Sequence, residues 1–131
     1  MKHLFIDTSV LINYTRKNDN VLRDLLIQQD KGEVELFVGV IVVTEFFSGT
    51  EINNVKFLLA AIKIFQEFFT IIEVGFQEGM KAGQLRRSNT IPLTTDAIIA
   101  ATCILNDFEL VTNDVKHFSE IEELKLYKIE S

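Results

Sequence analysis

Short apolar runs alternate with segments of helical periodicity along this chain, and this alternation is what most restricts its possible folds. The run at residues 4–6 contains no polar position, and β-branched or aromatic segments at 36–40, 70–74, 108–112 and 125–129 also indicate strands. A strand without polar alternation is typically covered on both faces. We therefore expect an α/β fold of three layers, with a mostly parallel central sheet of about five strands between helices.

The segments between these strands indicate helices. One begins at Asp19 or Asn20, which can cap its first turn, and ends just before Gly32. A turn after the second strand leads into a short helix that stops near Gly49. The other predicted helices cover residues 54–69, 77–87 and 96–105, the last capped by Thr94 or Thr95.

Two of these helices carry patterns that predict how they pack. The apolar residues of segment 54–69 cover an arc of roughly 220° on a helical wheel, wider than one core contact needs. Either this helix is sandwiched within the domain, or part of its apolar arc is a subunit interface. In the helix at 77–87, Gly79 and Gly83 are four residues apart and would allow close packing.

Length and composition narrow the protein class. A chain of 131 residues fits a single domain, residues 1–131, and its net charge of −6 offers no general attraction to nucleic acid or to anionic membranes. Cys103 is the only cysteine, which excludes an internal disulfide and a multi-cysteine zinc site and favours a reducing cytoplasm. No apolar run approaches the roughly twenty residues of a membrane span, so we expect neither a signal peptide nor a membrane anchor.

Four acidic residues stand where a parallel sheet would place a ligand. Asp7 and Asp114 follow predicted strands, Glu45 lies just beyond the second strand, and Asp96 opens an apolar helix. Ligands of open α/β sheets bind beyond the carboxyl ends of the strands. Surface acids seldom have such apolar sequence neighbours.

Each acid also has a structural explanation when it is taken alone. Asp7 could cap the segment that follows it, and Glu45 could belong to an isolated ion pair. Asp96 could be an acid favoured in the first turn of a helix, and Asp114 could be a turn residue. The coincidence of all four at one sheet edge favours a shared site.

A cluster of carboxylates requires a positive charge to compensate it. Two carboxylates about 5 Å apart repel by roughly 3 kcal/mol at an effective dielectric constant near 20. Since His3 and His117 are isolated in the sequence, an all-oxygen site for Mg2+ or Mn2+ is the reading that fits. Such ions orient and activate water in phosphoryl-transfer enzymes, so hydrolysis of a phosphodiester is the leading reaction.

Hydroxyl and basic side chains accompany the acids. Thr8, Ser9 and Thr112 could hold carboxylates in one rotamer, although Thr8 and Ser9 could equally cap a turn. Basic residues near this edge would help to hold a polyanion, or could simply be helix-end and loop charges. They are Arg86, Arg87, Lys116 and His117.

Four segments of this chain resemble the motifs of PIN-domain nucleases, especially the VapC-type toxins of toxin–antitoxin pairs. They are residues 4–12 (LFIDTSVLI), 44–46 (TEF), 95–102 (TDAIIAAT) and 110–118 (LVTNDVKHF). The likeness covers nearly the whole chain, and its strength lies in the order and spacing of the four segments.

The resemblance implies a magnesium- or manganese-dependent endoribonuclease that forms a homodimer and is inhibited by a cognate antitoxin protein. By position, it implies that Asp7, Glu45, Asp96 and Asp114 are the catalytic and metal-binding acids, with Asp114 the most peripheral. Further roles carried over by position are Ser9 and Thr112 as supporting hydroxyls and, more weakly, Arg87 as a contact to the substrate or to an acid. Lys116, one of the basic residues near this edge, is a further weak candidate for substrate binding.

Other functions fit parts of the same pattern. A phosphoacceptor receiver-like domain would need an acidic pair after the first strand, and an aspartyl-nucleophile phosphatase would need an acid where Ser9 stands. A glycine-rich phosphate loop is absent from the sequence. A non-catalytic protein-binding module with an acidic pocket remains the alternative from another class.

Overall fold

The computed structural model describes residues 1–17, 19–88 and 91–129 of the chain. Strands and helices alternate as the apolar runs predict. In chain order they are β1 (Lys2–Ile6), α1 (Thr8–Lys17), α2 (Asn20–Asp30), β2 (Val34–Gly39), α3 (Val40–Phe47), a 3₁₀ turn (Thr50–Asn53), α4 (Val55–Phe68), β3 (Thr70–Ile72), α5 (Phe76–Arg87), α6 (Thr94–Asn106), β4 (Glu109–Val111), α7 (Val115–Phe118) and β5 (Lys125–Leu126).

The strands of the described residues form one parallel sheet in the order β3-β2-β1-β4-β5. β1 lies at its centre, where Leu4 pairs with Leu36 on one side and with Glu109 on the other. The expected α/β architecture with helices around a parallel sheet is confirmed. The strand order also separates this fold from receiver domains, whose sheets follow the order 2-1-3-4-5.

The core lies on both faces of β1. Leu4, Phe5 and Ile6 are at most 1% exposed, as expected for a strand covered on both sides. Phe108 stacks on Phe37 with ring centroids 4.5 Å apart and on Phe5 at 6.2 Å. These contacts fix the position of the central strand and therefore that of Asp7, which directly follows Ile6.

The predicted end signals of α2 are confirmed. The Asp19 side chain accepts a hydrogen bond from the backbone N–H of Val21, 3.0 Å away, and caps the helix. Gly32 follows the helix with a φ of +78°, in the left-handed region that favours glycine.

Several local predictions are wrong. Residues 8–17 form helix α1, which the sequence reading did not predict, and α3 begins at Val40, directly after β2 and without a turn. α6 begins at Thr94 with Leu93 in the capping position and without a side-chain cap, so neither Thr94 nor Thr95 caps it. In all three helices burial of the apolar helix face outweighs the local propensity for a turn or a cap.

The two glycines of α5 do not mediate close packing among the described residues. A Cβ atom built on Gly79 or Gly83 would meet no heavy atom within 4 Å. The buried face of α5 is formed instead by Ala82 and Leu85. Gly79 and Gly83 therefore lie on the solvent-exposed side of the helix.

Helix α4 covers nearly the predicted residues, but the rest of the domain does not bury all of its apolar surface. Phe65 is buried, whereas Val55, Leu59 and Ile62 are 66, 60 and 37% exposed. These three residues are spaced i, i+4 and i+7 and lie on one face of the helix, here termed the α4 stripe. The reading of a helix sandwiched within the domain is wrong for this stripe, and its role in a subunit interface remains a prediction.

The described helices include no segment with both the length and the apolar composition needed to cross a bilayer.

Candidate functional site

Asp7 occupies the first position after the central strand. Its backbone N–H donates to the carbonyl of Val111, 3.0 Å away, and so extends the pairing of β1 with β4. Asp7 is only 5% exposed to solvent. The Oδ2 atom accepts hydrogen bonds from Ser9 Oγ at 2.9 Å and Thr112 Oγ1 at 2.7 Å, which hold the carboxylate in one orientation.

The same hydroxyls tie the end of β1 to the end of β4. Asn113 donates its backbone N–H to Ser9 Oγ at 3.1 Å, and Asp114 donates its N–H to Thr112 Oγ1 at 2.9 Å. The two hydroxyl oxygens are 3.4 Å apart. Ser9 and Thr112 therefore occupy the supporting positions next to Asp7 that the sequence predicts.

Glu45 reaches the same edge of the sheet from α3. Because α3 follows β2 without a loop, its second turn faces the start of α1. Thr8 Oγ1 donates to Glu45 Oε1 at 2.7 Å. This bond joins residues 37 positions apart and leaves Oε2 without a contact to Thr8.

Asp96 lies in the first turn of α6, with its side chain 15% exposed. Its Oδ2 atom is 3.2 Å from Nδ1 of His117, which lies in the short helix α7. Asp96 therefore has the first-turn position that an acid with a purely structural role would have. Its carboxylate nevertheless also faces the cavity that the other acids line.

All four predicted acids line one open cavity of about 390 Å³, here termed the acidic cavity. Asp114 is exposed at this cavity, whereas Asp7 is buried. Arg87 and Lys116 are exposed and are not among the described residues that line it. The other residues lining it are Thr8, Ser9, Ile12, Asn13, Leu93, Thr95 and His117.

The electrostatics of this cavity disfavour its own negative charge. Burial is the main cause that raises the pKa of Asp7, Glu45 and Asp96 above their ordinary values. Repulsion between the acids adds to it, since Asp114 raises the pKa of Asp7, and Asp7 raises that of both Glu45 and Asp96. Hydroxyl hydrogen bonds to Asp7 and Glu45, and the proximity of His117 to Asp96, oppose these shifts only in part.

The donors present fit a hard divalent cation. The cavity supplies carboxylate and hydroxyl oxygens, and the described residues lining it include no lysine or arginine. Within the described ranges, no three acidic, histidine or cysteine side chains already form a ready-made ligand set. Magnesium does not require one, because it usually keeps several waters and takes only one or two carboxylates.

Sequence reasoning missed Asn13 at this cavity and did not foresee the positions of Thr95 and His117. Asn13 follows Ser9 by four residues on α1, so its place would have been evident had that helix been predicted. Thr95 was assigned to a cap instead. His117 was noted as a nearby basic residue, but its contact with Asp96 depends on the turn between β4 and α7, which no local pattern specifies.

The family model described as the PIN domain matches residues 4–124. With a match over most of its length, the chain belongs to the PIN domain family, and the resemblance seen in its motifs is confirmed.

Two relatives carry the name Ribonuclease VapC1. The one from Methanocaldococcus jannaschii is 28% identical, and the alignment covers 95% of this chain and 86% of the relative. The one from Rickettsia felis is 29% identical, with 98% and 97% covered.

Solved structures show the same fold. VapBC2 from Rickettsia felis, bound to a DNA fragment from its promoter, matches with a TM-score of 0.83 at 22% identity, covering 98% of this chain and 99% of that chain. FitAcB from Neisseria gonorrhoeae matches with a TM-score of 0.72 at 19% identity, covering 95% and 96%.

Proposed function

We propose that this protein is a metal-dependent endoribonuclease that hydrolyses RNA phosphodiester bonds with water. The observation that carries the proposal is the convergence of Asp7, Glu45, Asp96 and Asp114 on one cavity whose charge no lysine or arginine among its described residues balances. The names of the two VapC1 relatives support ribonuclease activity.

In this proposal the four acids form the site for Mg2+ or Mn2+, some of them through water that the ion keeps. The bound ion would supply orientation of a water, a lower pKa for that water, and stabilisation of charge on the phosphate oxygens. Asp7 is the fixed member of the set, because Ser9 and Thr112 both donate to its Oδ2 atom. Asp114 is exposed at the rim of the cavity and would hold the ion more weakly or through water.

Glu45 is suited to take a proton from the attacking water. In the metal-free protein, partial burial raises the pKa of this side chain, and the hydrogen bond from Thr8 opposes the shift. Since Thr8 occupies Oε1, the proton would be accepted at Oε2. His117 would orient Asp96 through the contact at 3.2 Å.

Incubation of the purified protein with total RNA tests this function. We expect cleavage in manganese or magnesium and none in a chelator, and we expect Asp7→Asn to abolish cleavage while the protein stays folded. Asp24→Asn, at an exposed acid of α2, is the matched control. If the wild-type protein cuts no RNA in any divalent metal, the nuclease proposal fails and the non-catalytic acidic binding module becomes the better explanation.

We further propose that the protein is the toxin of a type II toxin–antitoxin pair, with a cognate antitoxin as its partner and a cytoplasmic location. Support comes from solved VapBC structures of similar fold, including DNA-bound VapBC from Salmonella typhimurium with a TM-score of 0.79. A single, buried, free cysteine suits a reducing compartment. Co-expression with the neighbouring reading frame tests the pairing, since the partner should relieve growth arrest and copurify.

We also propose a homodimer. The α4 stripe leaves three large apolar side chains exposed, and such stripes are commonly covered by another protein surface.

A further inference from the structure

A second, smaller cavity lies next to the acidic cavity. Its volume is about 30 Å³, and Ile12 and Glu45 line both cavities, so the two adjoin at these side chains. The smaller cavity is also lined by Arg16, Gly49 and Glu51. A surface path therefore leads from the predicted metal-binding acids, past Glu45, to Arg16.

Arg16 lies on the face of α1 that lines this path. It follows Ile12 by four residues, and the two side chains are therefore neighbours along the helix. Ser9, which contacts Asp7, is seven residues before Arg16, or about 10 Å along the helix axis. Arg16 therefore extends the lining of the site along α1, beyond the acids of the acidic cavity.

Arg16 is paired with a carboxylate that can be replaced. Its Nε atom is 2.7 Å from Oε2 of Glu51, and the two side chains are 58 and 36% exposed. The Glu51 carboxylate lies against Gly49, where an added Cβ atom would be 2.9 Å from Oε1. Because an exposed ion pair contributes little to stability, exchange of this carboxylate for another anion costs little.

The charge distribution makes Arg16 unusual. Among the described residues lining either cavity it is the only lysine or arginine, in a protein whose net charge is −6. A guanidinium group presents a planar fork of donors that fits a carboxylate or a phosphate equally well. Glu51 thus occupies the position that a phosphate oxygen could take.

We propose that Arg16 binds a backbone phosphate of the RNA beside the acidic cavity, and that Glu51 holds Arg16 in the absence of RNA and competes with that phosphate. This inference rests on the proposed ribonuclease function. It predicts opposite effects for the two members of one ion pair, whereas a pair that only tethers α1 to the 3₁₀ turn predicts effects in the same direction.

Steady-state cleavage of a single-stranded oligoribonucleotide in manganese tests the proposal. We expect Arg16→Ala to raise KM roughly tenfold with little change in kcat, and Glu51→Gln to lower KM roughly threefold. Arg16→Lys, which keeps the charge but loses the fork, should lie between wild type and Arg16→Ala. Arg16→Ala should also weaken the salt dependence of kcat/KM by a slope of about 0.7, the value for one phosphate contact on a single strand.

The double variant Arg16→Ala/Glu51→Gln distinguishes this competition from general repulsion. We expect it to match Arg16→Ala, because Glu51 acts on RNA binding only through Arg16. Lys17→Ala and Glu67→Gln are charge-matched controls at exposed positions outside both cavities, and they should leave KM near the wild-type value.

Four results would overturn the proposal. If Glu51→Gln lowers KM equally with and without Arg16, the effect is general repulsion. If both single variants lower the melting temperature and kcat while KM stays constant, the pair is a structural tether. If the wild-type protein cleaves no RNA, the proposed function itself fails and this inference fails with it, whereas active wild type with unchanged variants refutes the role of Arg16 alone.

Discussion

Thr112 makes two hydrogen bonds at the acidic cavity through one hydroxyl. It donates to Asp7 Oδ2 at 2.7 Å and accepts from the N–H of Asp114 at 2.9 Å, with only 2% of the residue exposed. A residue this enclosed cannot exchange its lost bonds for bonds to water. The positions of two predicted metal-binding acids therefore depend on it.

We expect Thr112→Val to lower the free energy of unfolding by about 1–3 kcal/mol, because it removes the hydroxyl that pairs with the buried carboxylate. Thr112→Ser keeps the hydroxyl and should recover most of that loss. Urea unfolding of the three proteins gives the comparison. Equal stability of the valine and serine variants would show that the hydroxyl does not matter.

Asp7 is expected to destabilise the metal-free protein at neutral pH. Burial raises its pKa above 3.8, so the folded state binds this proton more tightly than the unfolded state does. The contribution of this side chain to stability is therefore greatest below 3.8 and falls as the pH rises through the raised pKa. At neutral pH the ionised Asp7 carboxylate therefore lowers the free energy of unfolding of the metal-free protein.

In chelator at about pH 7, we expect Asp7→Asn to be more stable than wild type by about 1 kcal/mol. The difference should shrink as the pH falls through the raised pKa of Asp7, because the wild-type carboxyl then becomes protonated in the folded protein. Chemical denaturation at several pH values measures it. A variant that is less stable than wild type throughout this range would contradict the assigned electrostatic cause.

At the scale of secondary-structure elements, α4 is the helix whose role depends on a partner. It packs Ala61 and Phe65 into the core and leaves the α4 stripe exposed. We expect the wild-type protein to be a dimer in solution and Leu59→Lys to shift it to a monomer, because a charge would be buried at the interface. Sedimentation velocity over a range of concentrations measures the shift.

Leu59 is 60% exposed, so its replacement should leave the fold and the melting temperature of the monomer nearly unchanged. Lys128→Ala, at an exposed position just after β5 and so at the sheet edge opposite β3, is the control that should leave the dimer intact. A wild-type mass that corresponds to a monomer at every concentration would exclude this interface.

The sequence predicts those elements whose pattern of apolar and capping residues follows directly from which side chains are buried. The apolar β1 run and the capped helix α2 are of this kind, and both are found. Helix α1 escaped prediction because it begins directly after Asp7 with Thr8 and Ser9, which are typical of a turn, and the start of α3 was placed too late because β-branched residues begin it. In both segments tertiary packing selects a helix where local preference favours a strand or turn.

The acids of the candidate site could be predicted from the sequence, but the hydrogen bonds that hold them in place could not. The carboxylates could be identified because each follows apolar sequence at the end of a strand or the start of a helix. The Thr112–Asp7 bond spans 105 residues and the Thr8–Glu45 bond spans 37, and no periodicity records contacts of this range. Metal binding by these acids remains a prediction.

At the scale of the whole molecule, a bound divalent ion should stabilise the fold. Ligation lowers the repulsion among acids whose pKa values are raised in the metal-free protein. We expect millimolar magnesium or manganese to raise the melting temperature by on the order of 5 °C. Asp96→Asn should reduce that increase, whereas Asp24→Asn on α2 should not.

Thermal denaturation with increasing metal concentration measures this effect, and potassium at equal ionic strength separates ligation from general screening. A melting temperature that responds equally to potassium and magnesium would refute a specific cation site at the acidic cavity.

The central position of β1 has a consequence for synthesis of the protein. Asp7 leaves the ribosome early, but its partners at the cavity extend to Thr112 and Asp114, and β1 itself pairs with β4. A nascent polypeptide that is still short therefore lacks a complete cavity. If the protein cuts RNA as proposed, it cannot do so during synthesis until the chain has emerged beyond Asp114.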